Sequence, residues 1–229
     1  MKHALFGLSA AAVAGCLLSV TASAVPGGGG GSGCSVSRES GSGAVFYVPS
    51  GGDGTYNILG WGNGTGGTST TYRGLLEAAA ARCVLVAAAT TANSGTGVEV
   101  ESAVNQARTR YRSIVGSNPK VCTSGHSQGG GGSFNSANRL GAKCVIAVQP
   151  DTVYTTSIFR PVSSTTDVVC IFSTGDTLAP ALPFNAANCR ANSTRYSQET
   201  TSGTHFAPTS GDGGGPGQAM RTYIDRWML

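Results

Sequence analysis

The sequence predicts an α/β domain, a mostly parallel central sheet with helices on both faces. Three observations predict it. Short apolar runs of strand length alternate along the chain with stretches of helical periodicity. One run, residues 83–89, is apolar without a break, as expected of a strand covered on both faces of a sheet. No linker or internal repeat divides residues 34–229, so the alternation belongs to one domain. The chain of 229 residues is long enough to bury a substantial core. Only 11% of its residues are charged, which excludes disorder driven by charge. The net charge of +4 comes from scattered arginines, so neither a nucleic-acid arm nor a polybasic membrane patch is expected.

The N-terminus reads as a targeting segment. Lys2 and His3 precede an apolar stretch that ends in Ala22-Ser23-Ala24, the layout of a secretory signal peptide cleaved after Ala24. An alternative is lipidation at Cys16, because Val13-Ala14-Gly15-Cys16 resembles a lipobox. The apolar residues that follow Cys16 favour full cleavage and release to the periplasm or exterior. No later run is long and apolar enough for a membrane span, so stable membrane insertion is not expected. Cys34, Cys83, Cys122, Cys144, Cys170 and Cys189 remain after cleavage. An even number of cysteines in an oxidising compartment predicts three disulfides, with Cys170–Cys189 the best local pair and the others open. None of the cysteines forms a CxxC, and no histidine stands at zinc-finger spacing, so no metal site is expected.

The elements follow in order. Residues 25–41 form a flexible Gly-rich lead-in. Residues 45–48 and 57–61 are strands, separated by the turn at 50–54. A Leu/Ala-rich helix occupies 72–81, before the apolar strand 83–89. Thr96 and Glu99 make a capping box that opens a helix with Val100, Val104, Ala107, Tyr111 and Ile114 on one face. A short strand at 120–123 leads to a helix ending near Leu140. Residues 143–148, 168–173 and 194–199 read as strands, and 219–228 as a terminal amphipathic helix. The stretch 211–217 is loop-like by composition.

Between the strand at 120–123 and its helix stands Gly125-His126-Ser127-Gln128-Gly129, which matches G-x-S-x-G. A serine raised on a tight strand-to-helix turn crowds its neighbours two residues away, and glycine at 125 and 129 relieves the crowding. The helix behind Ser127 directs its positive end at the site. A serine hydroxyl needs a base. Beyond the leader only His126 and His205 are available. His126 occupies the variable position of the turn and its side chain is expected to point elsewhere, which leaves His205. The carboxylate that orients the base is expected between Ser127 and His205, where Asp151, Asp167, Asp176 and Glu199 lie. Asp176 follows the apolar strand at its C-terminal end and is favoured, with Asp151 in reserve and Asp167 at the wrong end of the strand. For the oxyanion, the N–H of Gln128 is one expected donor and that of Thr65 or Asn63, in the loop 61–67, the other.

Three motifs together carry a resemblance. Residues 125–133 (GHSQGGGGS), 175–180 (GDTLAP) and 203–208 (GTHFAP) resemble the nucleophile, acid and histidine loops of bacterial polyester hydrolases, the cutinase-like and PET-hydrolase-like α/β-hydrolases. The resemblance covers roughly residues 42–229. It implies an α/β-hydrolase catalytic domain there, the triad Ser127, Asp176 and His205, an ester or polyester substrate, and no metal or other cofactor. Only 27 residues, 149 to 175, separate the strand at 143–148 from Asp176, so no lid domain is expected. The chain departs from that pattern in three places. Gln128 replaces a methionine, the loop at 62–65 reads Gly-Asn-Gly-Thr, and Asp151 stands where many relatives carry tryptophan. Trp61, Gly64, Asp151 and Phe206 are the expected substrate contacts, and a monomer is expected. The other readings are a lipase or other carboxylesterase, an amidase or peptidase, and a non-catalytic binding module.

Overall fold

The computed structural model describes residues 33–52, 54–156 and 159–229. The expected signal peptide and Cys16 lie outside the described residues. The sheet has eight strands: β1 (Ser35–Ser40), β2 (Ala44–Ser50), β3 (Asn57–Gly62), β4 (Val84–Ala89), β5 (Val121–His126), β6 (Cys144–Val148), β7 (Asp167–Gly175) and β8 (Arg195–Thr204). Their spatial order is β1-β2-β4-β3-β5-β6-β7-β8. The first two strands pair antiparallel, as do β2 and β4, and all the other pairs are parallel. The helices are α1 (Arg73–Ala80), α2 (Val98–Arg110), α3 (Arg112–Val115), α4 (Gln128–Leu140), α5 (Ala186–Ala191) and α6 (Gly214–Met228). This is the mixed α/β architecture that the alternation predicts.

Side-chain alternation along the strands divides the core in two. Leu85, Ala87 and Ala89 of β4 face one apolar cluster with Val100, Val104 and Phe134 of α2 and α4. Val84, Val86 and Ala88 face the other, built with Leu75 and Leu76 of α1 and Met220 and Ile224 of α6. Both faces of the parallel strands are therefore covered, which explains why residues 83–89 have no polar member.

Three elements differ from the sequence reading. Residues 35–40, counted within the lead-in, form the edge strand β1, and its bridge from Cys34 to Cys83 fixes the start of the sheet. The strand was illegible because SVSRES is polar and mostly exposed, as an edge strand is permitted to be. Helix α6 starts at Gly214, inside the stretch read as loop. Pro216 is compatible with a first helical turn because its missing N–H would have had no intrahelical partner there. At α2, Gly97 in the left-handed region precedes the helix, whereas the capping-box reading placed the cap at Thr96. The Thr96 hydroxyl still meets the Glu99 carboxylate at 3.3 Å.

The other bridges are Cys122–Cys144 and Cys170–Cys189. One joins β5 to β6 at directly paired positions, and the other joins β7 to α5. The Cys170–Cys189 pair agrees with the sequence expectation. Among the described residues no helix is long and apolar enough to cross a membrane, and no group of three or more metal-ligating side chains occurs.

Candidate active site

Strand order locates the site. The chain goes from β3 to β4 on one side, then returns to β5 on the other side of β3. Loops leaving the C-terminal ends of β3 and β5 diverge there, which opens a crevice at the sheet edge. Ser127 stands at the end of β5, between the strand and α4. Its backbone has φ 53° and ψ −118°, outside the regions a non-glycine residue ordinarily adopts. The turn is held because the Ser127 N–H donates to Val148 and its carbonyl accepts from Gly131 and Asp151. Glycines make the close packing feasible. A Cβ on Gly125 would lie 2.3 Å from the Gly129 carbonyl oxygen, and one on Gly129 would lie 2.2 Å from that of Gly62.

Ser127, His205 and Asp176 meet at this edge. The Ser127 hydroxyl donates to His205 Nε2 at 3.0 Å, and His205 Nδ1–H donates to Asp176 Oδ2 at 2.8 Å. The other carboxylate oxygen, Oδ1, accepts from the N–H groups of Leu178 and Ala179, both at 2.9 Å. Burial by itself raises the Asp176 pKa. Hydrogen bonds from His205, Ala179 and Leu178 outweigh that effect and leave it below the ordinary carboxylate value. Asp176 is therefore ionised at neutral pH and holds His205 in the tautomer that accepts the serine proton.

Asp151 does different work. Its two oxygens accept from the N–H groups of Val153, Tyr154 and Thr155 and from the Thr155 hydroxyl. Desolvation raises its pKa, but these donors more than compensate and lower it. The carboxylate closes the loop after β6 and is spent on that loop. The carboxylate that orients His205 is Asp176.

The loop after β3 places Asn63, Gly64 and Thr65 differently. Asn63 is fully buried. Its N–H donates to Ser94 Oγ, and its amide bonds Trp61, Ala89 and Thr91. It braces the loop and has no donor left for a substrate. Gly64 also has its N–H engaged, by the Tyr72 hydroxyl at 3.2 Å. Its role is close approach, because a Cβ there would stand 3.2 Å from that of Ser127. Among the described residues the Thr65 N–H has no partner, and Thr65 is exposed. The Gln128 N–H belongs to the first turn of α4, where no intrahelical acceptor exists. Thr65 and Gln128 remain the candidate donors.

Trp61, expected at the substrate, is a core residue. It is fully buried and packs on Tyr72 with ring centroids 5.2 Å apart. Phe206 is 61% exposed beside His205. Sequence reasoning missed two buried side chains at the site. Gln149 donates to the Thr204 carbonyl, and His126 contacts the carbonyl of His205. Nothing in the sequence marked Gln149. The scarcity of histidine brought His126 under consideration as a base, but not its contact with the backbone of His205.

No protein-family model matches the chain, and a search of curated proteins finds no match either.

Proposed function

We propose that the protein is an exported serine ester hydrolase with an α/β-hydrolase catalytic domain, acting on apolar acyl esters or polyesters. The observation that carries the reading is the hydrogen-bonded line from Asp176 through His205 to Ser127, set on a strained strand-to-helix turn. Ser127 Oγ attacks the ester carbonyl while its proton passes to His205 Nε2. Asp176 stabilises the imidazolium so formed. The N–H groups of Gln128 and Thr65 bind the oxyanion. The tetrahedral intermediate collapses when His205 returns the proton to the leaving alkoxide, giving an acyl-Ser127. Water, deprotonated by the same imidazole, then releases the acid.

The surface supports an apolar substrate. Val153, Tyr154, Leu178, Leu182, Phe184 and Phe206 are exposed, on segments that follow β6, β7 and β8. That is the same sheet edge as Ser127 and His205. The described residues between β6 and β7 contain no helix, which supports an open site without a lid. Three disulfides support export, because such bridges persist in oxidising compartments.

The test is a hydrolysis panel with a Ser127→Ala control. It runs from short nitrophenyl esters through aliphatic to aromatic polyesters and includes an amide form of one ester. Turnover of esters well above the amide, lost in Ser127→Ala, is the expected result. Turnover retained by the folded variant rejects the reading, and amide cleavage at equal rate moves it to an amidase.

A further inference from the structure

Beneath the three reacting side chains lies a second set of buried polar groups for which the reaction scheme has no role. His126, at the end of β5, is 3% exposed. Its ring packs against that of His205, with centroids 4.6 Å apart and the planes tilted by 44°. His126 Nε2 lies 2.8 Å from the His205 carbonyl oxygen, and Nδ1 lies 2.9 Å from the Tyr72 hydroxyl. A carbonyl oxygen only accepts, so Nε2 carries the proton. In the neutral ring Nδ1 is then the acceptor, and Tyr72 donates to it. The Tyr72 oxygen in turn accepts from the Gly64 N–H. One tautomer thus satisfies an unbroken series from the oxyanion loop to the histidine loop. Gln149 adds a parallel grip by donating to the Thr204 carbonyl at 2.8 Å. Two successive carbonyls of the histidine loop are each held by a buried side chain from the end of a neighbouring strand.

The chemistry of the surroundings keeps this tautomer in place. The titratable groups facing His126 are Tyr72, His205 and Asp176. Burial, and then repulsion by a charged His205, pushes the His126 pKa down to about 3. Burial pushes that of Tyr72 up to about 12. Neither group changes charge in the range where an imidazole base works.

Resting on the ester-hydrolase reading, we propose that His126 is a positioning residue for the general base. Its Nε2–H fixes the backbone of His205, and through Tyr72 it ties that loop to Gly64, so that base and oxyanion loop keep one mutual geometry. The rival role is simple packing beneath the site. Packing contributes stability but leaves the reaction per correctly folded site unchanged.

The test uses His126→Leu, His126→Gln and Tyr72→Phe, with a soluble nitrophenyl ester and sites counted by fluorophosphonate titration. His126→Leu is expected to lower kcat per titrated site roughly 10²-fold, as misplacement of a reacting group by about 1 Å does, with KM changed less than about twofold. Its acid limb in the kcat–pH profile should move, because a loosened imidazole pairs less well with Asp176. His126→Gln, which extends an amide N–H towards the same carbonyl, should recover most of the rate. Tyr72→Phe should lower kcat roughly fivefold, the value of one hydrogen bond. Should His126→Leu fail to fold, Tyr72→Phe decides by kcat per titrated site. Wild-type kcat per site and an unmoved acid limb in folded His126→Leu, or wild-type kcat per site in Tyr72→Phe, with only the melting temperature reduced, would overturn the proposal. That result, in a protein whose Ser127→Ala variant is dead, leaves the hydrolase reading intact. Turnover surviving Ser127→Ala removes both.

Discussion

The centre of the candidate site and its rim are built on opposite terms. Ser127, Asp176 and His205 are all under a tenth exposed, and hydrogen bonds fix each side chain. Tyr154, Leu182 and Phe206, on segments around the same edge, are 79%, 74% and 61% exposed. The centre is over-determined, because the catalytic geometry tolerates little displacement. The rim is free to differ in shape and apolar character without disturbing that geometry. On the hydrolase reading, reaction type and substrate choice are carried by physically separate residues, and substitutions should separate them.

The largest effect is expected at the centre. Asp176→Asn should lower kcat on a soluble ester by about 10⁴-fold, because the amide favours the wrong imidazole tautomer. Asp151→Asn should cost stability and leave kcat within a few fold, since its oxygens close a loop. Steady-state kinetics beside thermal melts checks both, and the reverse pattern would exchange their roles.

Packing behind the nucleophile comes next. Gly129→Ala places a methyl 2.2 Å from the Gly62 carbonyl oxygen, a backbone atom that has no other rotamer to adopt. We expect a loss of roughly 3 kcal/mol or more in denaturant unfolding, at the upper end for overpacking. At the rim, Tyr154→Ser and Phe206→Ser should leave kcat on a small ester within about twofold. They should lower the rate on an insoluble polyester several-fold through weaker contact with apolar surface. Equal losses on both substrates would erase the distinction between centre and rim.

The smallest effect on turnover belongs to a pH slope in stability. His126 has a folded-state pKa of about 3 against an ordinary value of 6.5, so the unfolded chain binds the extra proton first. Its contribution to stability is complete above pH 6.5 and is lost as pH falls towards 3. The melting temperature should rise with pH across that window, and His126→Gln should flatten the rise.

Much of this was legible in the sequence because the decisive residues are scarce. After residue 24 there are two histidines, one of them inside the G-x-S-x-G turn, so His205 followed as the candidate base by elimination. Apolar runs and helical periodicity placed most strands and helices. Asn63 and Trp61 share one property, that decisive partners are distant in sequence. Asn63 loses its N–H to Ser94, 31 positions away. Trp61 belongs to the core because Tyr72 of the following segment packs on it. Asp151 differs, since its partners lie only two to four residues on. Composition cannot distinguish an aromatic that lines a cleft from one that fills a core.

The most direct test of the central claim is labelling with a fluorophosphonate probe, followed by mass spectrometry of the modified peptide, in the wild type and in His205→Asn. The account predicts one label per chain on Ser127 in the wild type, and labelling slowed by orders of magnitude in the folded variant. A label on another residue, or Ser127 labelled equally fast without the imidazole, would contradict it.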